Sequence, residues 1–216
     1  MLPCDATLSR AATLCAVLSV LPAAQAQTKS DDFGGLASYP VPTGDGGPAE
    51  FRYCIVYAKR AWRIGNMVAE GAATWAQAKD QARAGLGSKA ADEEVRDFEA
   101  LESGQLASPS ALGSERFMRC AERLKLHPQP RHKTNSEFCF RSLGPLDLAT
   151  RLRADGKSRD DVRAAVATRY PKLQEKYLDG TVNLAFKGPT IAANSSVIED
   201  SFSACFAKAG ERQGHN

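Results

Sequence analysis

Histidine is scarce in this chain. Only His127, His132 and His215 occur among 216 residues, and the first two stand five apart in His127-Pro128-Gln129-Pro130-Arg131-His132 with no acid between them. A zinc centre needs a third ligand and supporting hydrogen bonds, so no metal or other cofactor is expected. No Gly-x-Ser-x-Gly element is present to raise a nucleophilic serine on a strand-to-helix turn. Gly85-Leu86-Gly87 lacks the third glycine of a dinucleotide loop and reads as a plain loop. Beyond the first 26 residues no apolar run approaches the length that crosses a bilayer, so no stable membrane insertion is expected. Blocks of one charge are missing too. Twenty-eight Lys and Arg are interspersed with 25 Asp and Glu, for a net charge of +3, and this argues against a nucleic-acid-binding arm.

What is present begins with an export signal. Arg10 precedes the apolar stretch Ala11 to Leu21, Pro22 closes it, and Ala24 and Ala26 form the A-x-A cleavage pattern. Residues 1–26 therefore read as a signal peptide whose removal leaves Gln27 first, and neither Cys4 nor Cys15 follows a lipid-attachment pattern. The mature chain is expected in the periplasm or outside the cell. Residues 27–50, rich in Gly, Pro, Ser and Asp, read as a flexible leader.

Four cysteines remain after cleavage: Cys54, Cys120, Cys139 and Cys205. An even count in an exported chain reads as disulfides, and no two are close enough for a C-x-x-C redox or zinc motif. Of the three possible pairings, spacing favours Cys54–Cys120 and Cys139–Cys205, each 66 residues apart. Sliding the chain by 85 residues lays the first pair on the second. The same shift lays Glu70-Gly71 on Asp155-Gly156, Met67 on Leu152, Phe117 on Phe202 and Arg123 on Lys208. A tandem duplication is the expectation.

Helical periodicity repeats with the cysteines. Cys54, Tyr57, Ala58, Ala61, Ile64 and Val68 advance in three- and four-residue steps, one face of a helix that Gly71 ends. Thr74 with Gln77 opens the next helix as a capping box; Gly156 and Ser158 with Asp161 do the same in the second half. Third helices are expected over Ala90–Glu102 and Lys172–Phe186, although Thr181–Lys187 also alternates like a strand. Fourth helices are expected over Ser114–Leu126 and Ser196–Ala209. The fold class is thus all-α: two units of about four helices, 51–126 and 138–209, each stapled by a disulfide. A proline-rich linker at 127–137 joins them, and a frayed tail spans 210–216.

One short string carries a possible chemistry. Ala100-Leu101-Glu102-Ser103-Gly104, followed by Ser108-Pro109, Gly113 and Phe117-Met118, resembles the catalytic segment of lytic transglycosylases, in which a Glu-Ser pair ends a helix. The resemblance covers fewer than 20 residues and implies Glu102 as a buried general acid toward a glycosidic oxygen. The spacers are shorter than that family's, and its downstream Tyr-Asn-Ala-Gly element is absent. Read from the residues alone, Leu101 is core, Glu102 is solvated and Gly104 ends a helix.

Arg116, Arg119 and Arg123 step along one helix face. They read as a possible surface for an acidic partner or anionic envelope polymer, or else as a solvated face. The functional expectation is an exported, non-catalytic helical module that binds another envelope protein in the manner of an inhibitor or immunity protein. The alternatives are a periplasmic holdase-type chaperone and a cell-wall glycosidase using Glu102.

Overall fold

The computed structural model describes residues 44–187 and 193–213; the expected signal peptide, residues 27–43 of the leader and residues 214–216 lie outside them. Among the described residues all regular structure is helical, with nine helices and no strand. In chain order these are α1 (Pro48–Ala69), α2 (Trp75–Gly85), α3 (Ser88–Glu102), α4 (Pro109–Arg123), α5 (Pro130–Ser142), α6 (Gly144–Ala154), α7 (Arg159–Arg169), α8 (Glu175–Ala185) and α9 (Ala193–Gln213).

α1 is the axis of the molecule. Tyr53, Cys54, Ile55, Tyr57, Ala58, Ala61, Trp62 and Ile64 are all buried, so this helix is covered on most of its circumference rather than along one stripe. It also starts earlier than the leader boundary at residue 50 suggested. Pro48 occupies the first turn, where its missing N–H costs nothing, and the Glu50 carboxylate reaches back to accept from the Gly47 N–H at 2.9 Å. α1 packs most extensively against α4. At Gly113 an added Cβ would lie 2.9 Å from the Phe140 ring and 3.1 Å from Trp62 Cβ, so only glycine lets α4 and α5 approach α1 this closely.

Several boundaries differ from expectation for one reason: proline starts helices well. Pro130 opens α5, so the supposed linker over 127–137 is mostly helix, and Pro109 opens α4 upstream of Ser114. Ser196 lies inside α9, not at its cap, and the backbone of α9 stays helical to Gln213, into the expected frayed tail. Thr181–Ala185 belongs to α8, which settles its strand-like alternation in favour of helix.

The two halves show parallel features. α1 ends at Ala69 and α6 at Ala154; Gly71 (φ +75°) and Gly156 (φ +78°) follow in the left-handed region that favours glycine. The turns close alike, with the Ala72 N–H donating to Met67 O at 2.8 Å and the Lys157 N–H to Leu152 O at 3.0 Å. Inward-facing residues then recur 84 positions on: Ala78 and Val162, Ala82 and Val166, Glu94 and Leu178, Phe98 and Val182 are all buried. The helix count differs. Four helices make up the first half and five the second, because Gly144-Pro145 splits into α5 and α6 the stretch that corresponds to the single α1. The ring of Pro145 removes a donor and crowds the carbonyl four residues back, so a continuous helix cannot pass.

The halves also share a core. One apolar cluster runs from Tyr53, Cys54 and Phe117 of the first half to Phe140, Val162, Ile198 and Phe202 of the second. Phe117 and Phe202, which the 85-residue shift superimposes, touch each other with ring centroids 5.4 Å apart. A smaller cluster of Ala61, Ile64, Ala78, Ala82, Phe98 and Leu112 lies within the first half.

Candidate functional site

The disulfides are Cys54–Cys120, joining α1 to α4, and Cys139–Cys205, joining α5 to α9, with Cα separations of 5.4 and 5.7 Å. Closing loops of 66 residues is worth about 4 kcal/mol each in the chain-entropy account. Two such bonds fit an oxidising extracellular compartment. Cys54, Cys120 and Cys139 are buried, whereas Cys205 keeps partial exposure.

Charged side chains gather in three networks around α1. In the first, Arg116 is wholly buried, its Nη1 2.8 Å from Asp97 Oδ2 and its Nη2 3.2 Å from Glu94 Oε2. Its guanidinium lies 4.0 Å over the Tyr57 ring. Arg60 reaches the other Glu94 oxygen at 3.1 Å, Arg119 spans Asp97 and Glu93, and Arg123 reaches Glu93 at 2.9 Å. Burial alone would raise the Glu93 carboxyl. The Arg123 hydrogen bond and the charges of Arg123, Arg116 and Arg119 outweigh it and hold the group below the usual carboxylate range. Burial pushes the Tyr57 phenol up.

Arg116 is thereby removed from the expected partner surface of Arg116, Arg119 and Arg123. Arg116 has no exposure, while Arg119 and Arg123 keep 34% and 40% of their side chains exposed and are paired with the α3 acids Asp97 and Glu93. An arginine on an apolar helix face is buried when a neighbouring helix presents carboxylates to its fork.

The second network sits between α1 and α9, where the buried Glu199 takes Lys59 Nζ at 2.8 Å and Arg52 Nε at 3.1 Å. The third ties α1 to α6: the buried Asp147 takes Arg63 at 2.5 Å and Arg151 at 3.0 Å, and Arg151 also reaches Glu70 at 2.6 Å. In each network the carboxylates are bound to cations from another helix. They brace the bundle.

Glu102, the acid that the lytic-transglycosylase resemblance singles out, ends α3 with 43% of its side chain exposed and Oε2 2.7 Å from Lys79 Nζ. The resemblance calls for a buried acid; the position is a solvated ion pair. Beside it, Gly65, Trp75, Leu101, Leu106 and Pro109 line a cleft of about 310 Å³, and the Ser108 hydroxyl on its rim accepts from the Ala111 N–H as the α4 cap. His132 Nδ1 accepts from the Gln129 N–H at 3.0 Å and the ring packs on Phe206, a helix-start role. Among the described residues no three His, Cys, Asp or Glu side chains gather as a metal site, and no helix is long and apolar enough to cross a membrane.

Among the described residues three large apolar side chains face outward: Phe138 on α5, and Tyr177 and Leu184 on α8. On α8, Tyr177 (56% exposed) and Leu184 (43%) flank Gly180, where an added Cβ would meet nothing within 4 Å. The three- and four-residue steps put these residues on one line of the helix. The acids of α8 turn toward α7, where Arg163 takes Glu175 and Asp179 at 2.9 Å each. Lys176 lies 4.9 Å over the Tyr177 ring, and Lys187 stands exposed just past the helix end. Sequence reading missed this face, although the spacing Tyr177, Gly180, Leu184 was its signal. Compared with known proteins, the chain matches no family model, no curated protein and no solved structure.

Proposed function

We propose that this chain is an exported, non-catalytic protein-binding module of the bacterial periplasm or exterior, acting like an inhibitor or immunity protein on another envelope protein. Residues 1–26 serve as its signal peptide. Its two halves descend from a tandem duplication, which the recurring glycine turns, the 66-residue disulfide spacing and the repeated inward positions support.

The observation that carries the binding reading is the outward line of α8. Tyr177 and Leu184 stand exposed on either side of Gly180, on a frame held by two disulfides and three ion-pair networks. A rigid frame lowers the ordering cost of association, and an exposed tyrosine is a favoured anchor. Lys176 and Lys187 beside this line, with the neighbouring acids engaged by Arg163, suit a partner surface carrying carboxylates.

Tagged, oxidised mature protein should recover a stoichiometric envelope protein from its own cells. The Tyr177→Ala, Leu184→Glu double variant should lose at least nine-tenths of that recovery with an unchanged melting temperature. Recovery that the double variant leaves intact would remove α8 from the reading, and repeated empty captures by the unaltered chain would remove the reading itself.

A further inference from the structure

α9 lies in a groove lined by aromatic side chains. Ile198, Phe202 and Phe206 follow one another at four-residue steps, with Glu199 beside the first. Ile198 and Phe202 are completely buried and Phe206 partly so. Phe202 meets Phe140 at 4.6 Å and Phe117 at 5.4 Å between ring centroids; Phe206 meets Phe51 at 5.6 Å and Phe117 at 5.5 Å. At one edge Lys59 and Arg52 hold the Glu199 carboxylate. An aromatic trough with a cationic edge is thus filled by a helix with apolar anchors and a buried acid, Glu199, the helix-in-groove arrangement of peptide recognition.

The covalent tie that keeps α9 there, Cys139–Cys205, includes the one bridging cysteine that is not buried. Both cysteines of Cys54–Cys120 are buried, whereas Cys205 on α9 is partly exposed. Thiol–disulfide exchange requires an attacking thiolate to reach a sulfur, so access orders the two bonds. Without the bond, the 66-residue segment that it closes regains chain entropy when α9 leaves its seat, which favours departure. Opening also returns Lys59 to water, whose burial holds its ammonium below the ordinary lysine range.

We infer that Cys139–Cys205 is a reducible latch: a dithiol that opens it releases α9 and uncovers the Phe51, Phe117, Phe140 and Lys59 groove for an amphipathic helix of a partner, one with apolar residues at four-residue steps and an acid at its start. In the exchange, a thiolate of the dithiol attacks Cys205 Sγ, the bond to Cys139 breaks, and Cys139 leaves as a thiolate that takes a proton. The second thiol of the reductant then attacks the mixed disulfide, freeing Cys205 as a thiol. The reductant ends as a disulfide, having passed two electrons and two protons to the two cysteines. The inference rests on the reading of the chain as a protein-binding module, but it concerns a different surface from α8.

The test uses the full mature chain. Oxidised protein is exposed to graded dithiothreitol, alkylated and mapped. Cys139 and Cys205 should be modified at reductant concentrations at least ten-fold below those that modify Cys54 and Cys120. Hydrogen exchange in residues 196–210 should then quicken at least ten-fold while α1 and α4 keep their protection. For the groove, the full-length Cys205→Ser variant leaves Cys139 free. A synthetic peptide of residues 196–210, its cysteine activated beforehand as a mixed disulfide with a small thiol that leaves when the Cys139 thiolate attacks, should be trapped on Cys139 at least ten-fold more than the same activated peptide with Ile198→Ser and Phe202→Ser. Equal trapping of the two peptides overturns the groove. Simultaneous reduction of both disulfides, or global loss of helical signal and of α1 protection when only Cys139–Cys205 is opened, overturns the latch. Neither result touches α8-dependent capture by the oxidised chain, so the two readings fail separately.

Discussion

Lys59 Nζ and Glu199 Oε1 lie 2.8 Å apart inside the contact between α1 and α9, a buried ammonium against a buried carboxylate. The pair bridges 140 positions of sequence, and Arg52 takes the other carboxylate oxygen at 3.1 Å from a half-exposed position. Burial lowers the Lys59 ammonium more than its attraction to Glu199 raises it, so this charge sits in the fold at a net cost.

That cost makes a double-mutant cycle informative. Lys59→Met removes one of the cations that hold Glu199, Arg52 staying in place, and should destabilise by about 1–3 kcal/mol, below the usual loss for a fully broken buried pair. Glu199→Leu takes from the buried Lys59 ammonium the carboxylate 2.8 Å away and should cost about 3–5 kcal/mol. The double variant should return to within about 1 kcal/mol of the parent, as apolar replacements of buried ion pairs do. Urea titrations of the four proteins provide the comparison, and additive losses would show that the pair is not coupled.

Acid should attack the first network through Glu93. Its folded-state carboxyl titrates below the ordinary value of 4.5, burial notwithstanding, because Arg123, Arg116 and Arg119 favour the anion. The sign follows from linkage: stability from this group is fully present above pH 4.5 and is lost as pH falls through the lower folded-state value. Glu93→Gln should therefore lower the melting temperature at pH 7 and shrink the gap to the parent as pH falls toward 3. A gap that stays constant from pH 7 to 3 would contradict the assignment.

A second titration belongs to the start of α5. His132 Nδ1 must be unprotonated to accept from the Gln129 N–H. Partial burial, with a further push from the Arg131 charge, holds its pKa below the ordinary 6.5. Stability from the neutral ring is present above pH 6.5 and falls away as pH drops toward the folded value. His132→Ala should cost about 1 kcal/mol at pH 8, as for loss of a helix-start hydrogen bond, and less at pH 5. Melts of both proteins across that range give the difference directly.

How much of this was legible depended on whether the cause was local. Gly71 and Gly156 announced helix ends because a left-handed cap needs glycine wherever it falls. Thr74 with Gln77 announced a start because both hydrogen bonds are made within four residues. The all-helical class rested on the same local periodicity. Arg116 was misread because its environment comes from another helix. Leu112, Arg116 and Cys120 stand at four-residue steps on the buried face of α4, and Ala90, Glu94 and Phe98 do so on α3. A charged residue in an apolar register is thus a signal for a buried partner, readable only by matching two such interruptions of opposite sign. The α8 face went unread for the opposite reason: periodicity shows which positions share a side, but only packing shows which side stays uncovered.

The last prediction concerns strain at the end of α4. Lys125 has φ +58°, in the left-handed region, where the Lys125 N–H donates to Glu122 O at 3.2 Å and the following Leu126 N–H to Ala121 O at 2.8 Å. This is the turn that Gly71 and Gly156 make after α1 and α6, executed without glycine. A Cβ in that region crowds the following carbonyl at about 1–2 kcal/mol, while the lysine side chain stands exposed. Lys125→Gly should therefore stabilise the protein by about 1 kcal/mol, because the relief of strain exceeds the entropy that glycine adds to the unfolded chain. Gly71→Ala and Gly156→Ala should each destabilise by about the same amount. Chemical denaturation of the three variants at pH 7 checks both signs, and a loss of stability in Lys125→Gly would mean that the lysine side chain contributes more to this turn than its backbone costs.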